Sequence, residues 1–463
     1  MKPDLHGMTR RRFTALTALH ALAAVACRPR LPIGASTSPT LLGGALQHRP
    51  GRALDLLPGF QCAVVQRVGD AMSCGSFVPA QPDGMTCHLD AQGRYVLLRN
   101  HELHETEWME GAGKQFSTSV YPSRAHGAAT YNPKSFGGVS RVVIDPKRLV
   151  KSLGAGDGHG AVISSNMVLT GTKFNCSGGS IPGGWISCEE TDDAGHGYAF
   201  LTHVHDASLV DPMDRRIHSW GRLKREGVSV DFSQGIVYMT EDHAQGCLYR
   251  FVPKDPSDFM GRGVLQALVV KGVPDTDPKR PLIEGGEWET SWVAVDDPEA
   301  ADLPCRTQAQ RHGASRFNRC EGSVLDGEFL WFIASTAGPV GAGQVFRYSL
   351  RTGALRLAVQ VEDRSVLSMP DNLTLSPWGD LVMTEDNYNT GGGATHQHIR
   401  GLRVNGEIYD VARNPHRTED DCGAEITGPC FSPDGKFLFV NLQHPIGSTV
   451  AIHGPWPDPA ERV

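Results

Sequence analysis

Six times along the chain a turn glycine is followed by a short apolar run that ends in a carboxylate, an amide or a hydroxyl. Gly93 leads through Tyr95, Val96, Leu97 and Leu98 to Asn100, His101 and Glu102, and Gly184 leads through Trp185 and Ile186 to Glu189 and Glu190. Gly235 precedes Glu241 and Asp242, Gly327 leads to Ser335 and Thr336, Gly379 to Glu385, Asp386 and Asn387, and Gly435 to Asn441, Gln443 and His444. The glycines stand 91, 51, 92, 52 and 56 residues apart, a period of about fifty with weaker copies hidden in the long gaps. Short strands at that period predict an all-β chain folded as a β-propeller, six-bladed with inserted loops. If each run is the strand nearest the axis, its end delivers oxygen ligands to one mouth of the central channel, an arrangement suited to hard cations. Turns and strand ends favour Asp and Glu in any protein, so the recurrence, rather than any single carboxylate, singles out the set.

Glycine and proline, 53 and 30 of 463 residues, suit a chain of many tight turns. A net charge of −7 and a pI near 6.2 offer no basic surface for nucleic acid. Residues 1–26 read as a twin-arginine signal peptide: Thr9-Arg10-Arg11-Arg12-Phe13-Thr14 carries the arginines, an apolar stretch follows from Ala15, and Ala24-Val25-Ala26 makes a small-residue cleavage site. That stretch is too short to span a bilayer. The expectation is export by the twin-arginine machinery, already folded, to the periplasm or beyond; inserting a metal cofactor first is a common reason for that order. Cys27 is a candidate lipid anchor, although Ala24 stands where a lipobox usually has leucine. Residues 27–54 are expected to be a flexible segment, 55–450 the propeller and 451–463 a tail.

Eleven cysteines in a chain bound for an oxidising compartment allow disulfides, and Cys176/Cys188, Cys305/Cys320 and Cys422/Cys430 have suitable spacing. The spacing leaves bridges, buried thiols and a metal thiolate all open. His101-Glu102-Leu103-His104 superficially matches a zinc protease, but that motif needs histidines four apart on a helix, and these are three apart after a strand.

A series of short motifs runs collinearly over residues 55–447. It comprises Leu57-Pro58-Gly59-Phe60, Pro82-Asp83-Gly84-Met85, Asn100-His101-Glu102, Gly137-Gly138-Val139-Ser140-Arg141, Asn175-Cys176-Ser177-Gly178-Gly179 with Cys188-Glu189-Glu190, and Gly221-Arg222 with Glu226. It continues through Tyr238-Met239-Thr240-Glu241-Asp242, Arg319-Cys320-Glu321-Gly322, Pro370-Asp371-Asn372 and Gln443-His444-Pro445. In these residues the chain resembles the PhoX-type bacterial alkaline phosphatases. The resemblance implies a six-bladed propeller whose channel holds a ferric pair and calcium ions around a bridging oxide, hydrolysing phosphate monoesters at alkaline pH. It makes Cys176 an iron thiolate and Glu189, Glu190, Glu226, Asp242 and Glu321 carboxylate ligands, with Asp371 and Glu385 as further calcium ligands. Arg319 would hold the substrate phosphate.

The residue types fit that chemistry in their own right. A phosphate monoester is a dianion, so clustered cations must neutralise charge at the attacking and leaving oxygens; carboxylates suit hard calcium and ferric iron. A thiolate needs a lowered pKa, which a bonded ferric ion supplies, and the planar fork of arginine matches two phosphate oxygens. Other readings stand beside these: Cys176 bridged to Cys188, Arg319 and Glu321 as a surface ion pair, and Asp371 as a turn residue. Glu189 and Glu190 are adjacent, so on a regular strand only one faces the channel. Arg225 stands where the PhoX-type sequences usually have histidine, and the loop from Cys176 to Glu189 is one residue shorter than usual. Lys173 and Lys224 are both in neighbourhoods suited to a substrate-contacting lysine. Alternatives to a phosphatase are a calcium-dependent lactonase or phosphodiesterase on a propeller, or a non-catalytic periplasmic propeller with structural metals.

Overall fold

The computed structural model describes residues 42–103, 130–272, 282, 284–387, 396–416, 425–443 and 447–458. The arginine-bearing segment, Cys27, His104, Cys422 and His444 lie outside them. Among the described residues no helix is long and apolar enough to cross a membrane.

Two strands come first, β1 (Asp55–Leu56) and β2 (Gln61–Arg67). An antiparallel sheet follows, of β3 (Pro82–Leu89), β4 (Tyr95–His101), β5 (Gly137–Ile144) and β6 (Val162–Thr172). The next is β7 (Asn175–Ile181), β8 (Gly184–Glu189), β9 (Ala199–His203) and β10 (Arg216–Ile217). Then come β11 (Arg225–Asp231), β12 (Ile236–Glu241), β13 (Leu248–Pro253) and β14 (Gly263–Val270), and later β16 (Cys320–Asp326), β17 (Phe329–Ala334), β18 (Gln344–Ser349) and β19 (Ala354–Gln360). These two groups share one nine-stranded sheet, because β15 (Glu287–Ala294) pairs with both β14 and β19. β20 (Pro370–Leu375), β21 (Leu381–Glu385), β22 (His398–Leu402) and β23 (Ile408–Arg413) form a meander whose outer edge takes β1. Finally β24 (Ile426–Phe431), β25 (Phe437–Leu442) and β26 (Ser448–His453) are completed by β2 from the far end of the chain.

The first strand of each group packs on the first strand of the next. β3 meets β7, β7 meets β11, β11 meets β16, β16 meets β20, β20 meets β24, and β24 returns to β3. The fold is therefore all-β and propeller-like, with these strands lining the axis. This corrects one expectation. The apolar runs after the turn glycines are β4, β8, β12, β17, β21 and β25, the second strands out, not the strands nearest the axis. The physical reason is burial on both faces: every residue of β4, β8 and β25 is buried between sheets, which reads as a continuous apolar run. An axial strand such as β3, Pro-Asp-Gly-Met-Thr-Cys-His-Leu, is more polar because one side faces the channel. A second correction is local. Gly183, at φ +73°, makes the left-handed turn before β8, and Gly184 is already its first residue.

Each axial strand carries a β-bulge at the same place. Between Pro82 and Met85, Asn175 and Gly178, Arg225 and Val228, Cys320 and Ser323, Pro370 and Leu373, and Thr427 and Cys430, two residues face one on the neighbouring strand. At Gly84, Gly227 and Gly322 the neighbouring strand comes so close that a side chain does not fit. A Cβ on Gly84 would lie 2.7 Å from the Cα of Ser177, and one on Gly322 would lie 2.8 Å from the carbonyl oxygen of Asp371.

The first and last described residues pack on the same body. Leu42 and Leu54 are buried in one cluster with Val382, Ile399 and Val411. Trp456 stacks on Trp378 at 5.4 Å and meets Phe60 edge-on at 4.5 Å.

Candidate metal centre

A bulge raises local twist and re-aims the side chains at its position. Here it turns the first bulged residue of the axial strands toward the channel mouth: Asp83, Cys176, Glu226, Glu321 and Asp371, with Gly428 in the sixth place. A second row comes from the residue just past the second strand: Glu102, Glu190, Asp242 and Asp386. Glu425, immediately before β24, joins them.

The two rows meet. Ligand atoms lie within 4.8 Å of one another in four triplets: Asp83, Glu102 and Cys176; Cys176, Glu190 and Glu226; Glu226, Glu321 and Asp371; and Asp371, Asp386 and Glu425. Cys176, Glu226 and Asp371 each belong to two triplets, so the groups form one continuous file. Protein donors are few. Gln443 Nε2 donates to Asp83 Oδ2 and Glu102 Oε2, both at 2.8 Å, and Ser335 Oγ to Glu321 Oε1 at 2.7 Å. Glu226 Oε1 accepts from Asn372 Nδ2 at 3.3 Å, and its buried Oε2 has no hydrogen-bond partner.

The electrostatics follow from that shortage. Burial, with neighbouring carboxylates adding to it, holds Asp83, Glu190, Glu226, Glu321, Asp371 and Glu425 well above the usual carboxylate range. Asp386 is pushed up to about 6, again chiefly by burial. Burial likewise drives the Cys176 thiol well up, and the carboxylates of Asp83 and Glu226 push it further. Asp242 is the exception: burial raises it, but Arg319 and Lys224 beside it hold it below its ordinary value. Acids crowded this way fit cations, which would replace the missing donors and permit every group to ionise.

Two cations stand at the edge of the file. Arg319 gives Nε to Asp242 Oδ1 at 2.9 Å and Nη2 to Oδ2 at 3.2 Å, and its Nε lies 3.1 Å from Glu321 Oε1. Its backbone is left-handed, φ +54°, and is pinned on both sides: its N–H donates to the His243 carbonyl at 3.0 Å and its carbonyl accepts from Ser335 N at 2.9 Å. Lys224 Nζ bonds Glu190 and reaches Asp242 Oδ2 at 3.2 Å. Of the two lysines in suitable neighbourhoods, Lys224 thus faces the cluster, whereas the ammonium of Lys173 pairs with Asp193.

Three expected ligands fall outside the triplets: Asp242, which pairs with Arg319 and Lys224, and Glu189 and Glu385; the last two are held within their own blades. Glu189 accepts from the backbone N–H groups of Lys173, Gly197 and Tyr198 at 2.9, 2.9 and 3.1 Å, and His196 Nδ1 lies 2.6 Å from it. Glu385 accepts from Ser368 N, His398 N and Arg400 Nε at 2.9, 3.1 and 2.9 Å. Both are last residues of second strands, where the side chain turns away from the channel into its own blade. Glu241 holds the same position and accepts from Tyr249 Oη and Arg306 Nη1 at 2.7 and 2.9 Å. Arg225 is buried and donates to the carbonyls of Gly197, Trp220 and Gly221, so it does not take up a place in the cluster.

Of the pairings that the spacing left open, Cys176/Cys188 and Cys305/Cys320 are not bridged, and Cys422 lies outside the described residues. Cys176, Cys188, Cys305, Cys320 and Cys430 are buried free thiols. Cys176 is aimed into the channel by its bulge, while Cys188 sits in an apolar cluster with Ile186 and Trp220, so the two point apart. Asp371 is buried in the file rather than serving as a turn residue.

Asp83, Glu102, Asp386 and Glu425 are members that sequence reasoning did not assign. The signal was available: an acidic or thiol residue followed by Gly, Ser or Asn recurs as Asp83-Gly84, Cys176-Ser177, Glu226-Gly227, Glu321-Gly322 and Asp371-Asn372. It lies in the polar strands that the apolar runs overshadow.

The structure is similar to that of Pseudomonas fluorescens PhoX in complex with vanadate, a transition-state analogue, with a TM-score of 0.61 and 15% identity over 90% of this chain and 97% of that one. A gluconolactonase of Xanthomonas campestris aligns with a TM-score of 0.40 and 13% identity over 93% of this chain and 100% of that one. No curated protein matches the sequence. The family model of the alkaline phosphatase PhoX matches residues 41–446, and the chain belongs to that family.

Proposed function

We propose that the protein is a metal-dependent phosphatase that hydrolyses phosphate monoesters at the file of acids in its channel. The observation that carries this reading is a row of buried carboxylates short of donors, with the unpartnered Glu226 Oε2 at its middle and Lys224 and Arg319 at its edge.

On this reading Asp83, Glu102, Glu190, Glu226, Glu321, Asp371, Asp386 and Glu425 hold calcium and iron, and Cys176 supplies a thiolate to iron. Bound there, the cations neutralise the phosphate dianion and the charge that builds on its oxygens. The chain's own part is positioning. Arg319 presents its planar fork to two phosphate oxygens, exchanging the Asp242 carboxylate for substrate. Lys224 contributes a point charge from the opposite side of Asp242. Asp242, kept ionised by these two cations, holds both in place before substrate arrives. Preorganised charge of this kind is among the largest contributions an active site makes to rate.

The finer points belong to the same proposal. We read the nine-stranded sheet as two blades bridged by β15, which makes six. Residues 1–26 support twin-arginine export to the periplasm or beyond, with Cys27 as a candidate anchor. The test is elemental analysis of natively exported protein alongside hydrolysis of a chromogenic phosphate monoester. Iron with calcium and phosphatase activity are expected. Calcium alone, without phosphatase activity, would instead favour a lactonase-like or structural propeller.

A further inference from the structure

A half-open cleft of about 270 Å³ lies beside the acidic file. Two segments, those carrying Glu190 and Lys224, run on into its lining, and that of Asp242 is tied to it through Arg306. Glu190 is followed by Thr191 and Asp192, Arg222 stands two residues before Lys224, and Arg306 ties Asp192 to Glu241, the residue before Asp242. The outer wall is Ala301, Asp302 and Pro304.

Its chemistry is narrow. Arg222 spends its N–H groups on backbone carbonyls, of His196 at 2.8 Å, Glu299 at 3.3 Å, and Asp192 and Asp193 at 3.2 and 2.7 Å. It is therefore wall, not anion receptor. Asp192 receives Arg306 at 3.1 and 2.6 Å, and each of its oxygens keeps a further lone pair. Thr191 Oγ1 accepts from Asp193 N at 3.1 Å and as a hydroxyl can still donate. Asp302 adds an exposed acceptor. None of the described lining residues is aromatic, and the volume falls just below the range of about 300–1,000 Å³ that holds drug-sized ligands.

We infer that this cleft is the subsite for the departing alcohol and that it selects a small, neutral, hydroxyl-rich one, of the size of glycerol. The inference rests on the phosphatase reading. In the reaction the P–O ester bond breaks, water supplies the new oxygen on phosphorus and the proton on the departing oxygen, and the alcohol leaves through the cleft. Its hydroxyls donate to Asp192 and Asp302 and accept from Thr191, whereas a second phosphate would meet those carboxylates.

The test fills the cleft from its outer wall with Ala301→Trp, away from every group placed in the file. Glycerol phosphate and methyl phosphate are compared as substrates, since a methyl group is too small to occupy the cleft. For glycerol phosphate kcat/KM should fall about tenfold, mainly through KM, as when a pocket's hydroxyl contacts are lost; for methyl phosphate it should not change. Ala194→Trp, on another part of the lining, repeats the test should the first variant fail to fold. Equal changes for both esters, or none for either, would overturn the subsite. Loss of methyl phosphate hydrolysis by the unaltered protein would break the phosphatase reading itself, so the two failures are distinguishable.

Discussion

Glu226 and Glu385 are both almost wholly buried, and each sits near the channel end of a strand. Around Glu385 the protein supplies two backbone N–H groups and the Arg400 guanidinium. Around Glu226 it supplies one long contact from Asn372, with Glu321 and Asp371 as carboxylate neighbours. The same contrast separates two sets of buried carboxylates. Glu189, Glu241 and Glu385, on second strands, have their donors built in; Asp83, Glu226, Glu321 and Asp371, on axial bulges, face one another. A buried charge is tolerated only when something compensates it. Glu226 is the extreme case, with one oxygen that no group of the described residues compensates, and on the proposed reading a cation would do so. Burial and acidity alone do not separate the two sets.

Removing the cations should disturb the channel-facing carboxylates of the file and spare Glu189, Glu241 and Glu385. A calcium chelator is expected to abolish phosphatase activity, with recovery on adding calcium back; full activity in the chelator would refute the comparison. The stripped protein should also show an inverted pH response. Its crowded carboxyl groups have raised folded-state pKa values, so their stabilising contribution is fully present below the ordinary carboxylate range near 4 and is lost as pH rises through the folded value, about 6 for Asp386. Thermal midpoints should therefore be higher at pH 5 than at pH 8 without calcium, and the gap should close with it.

Substitution inside each set sharpens the contrast. Glu385→Ala takes the acceptor from the N–H groups of Ser368 and His398 and from Arg400 Nε, while Arg400 keeps Asp410 and the Ser365 carbonyl; it should cost about 3 kcal/mol of stability, with cation content unchanged in protein that stays folded. Glu226→Gln should do the reverse, stabilising the stripped protein while lowering its cation content, as read by denaturation and elemental analysis.

At the edge of the file, Arg319→Lys keeps a charge and loses the fork. A loss of about 2–4 kcal/mol in transition-state stabilisation, roughly thirty- to a thousand-fold in kcat/KM, is expected with cations retained. Near-normal kinetics would place Arg319 outside the site.

The smallest effect separates the two thiols. Cys188→Ala should cost about 1 kcal/mol, as an ordinary core truncation does, and leave iron in place. Cys176→Ser should lose iron and visible absorption while the sheets stay folded. Matching defects from both would contradict the geometry.

The repeat period and the apolar runs made the architecture legible, because strands buried on both faces leave an unbroken apolar signature. They also misled about depth: apolar content reports burial, and the strands nearest the axis are not the most apolar. The contacts of Glu190, Glu226, Glu321, Asp371 and Arg319 were reachable through short motifs. Glu102, Asp386 and Glu425 were not assigned, because position just outside a strand gives no periodic signal until the strand's end is known. Glu189 and Glu190 show the limit most plainly. Adjacent and chemically identical, they are told apart only by which one the strand's last turn aims into the channel.

The closing of the last sheet by β2 has a consequence for order in time. Gln61–Arg67 can pair only after Ser448–His453 has been synthesised, and the file of acids draws on residues from Asp83 to Glu425. Pairing over such sequence distances is slow. The ring and its set of acids are complete only when Glu425 and Ser448–His453 have joined the earlier strands. On the proposed reading, cation loading would report on a finished ring, and a protein lacking Ser448–His453 should fail to retain cations.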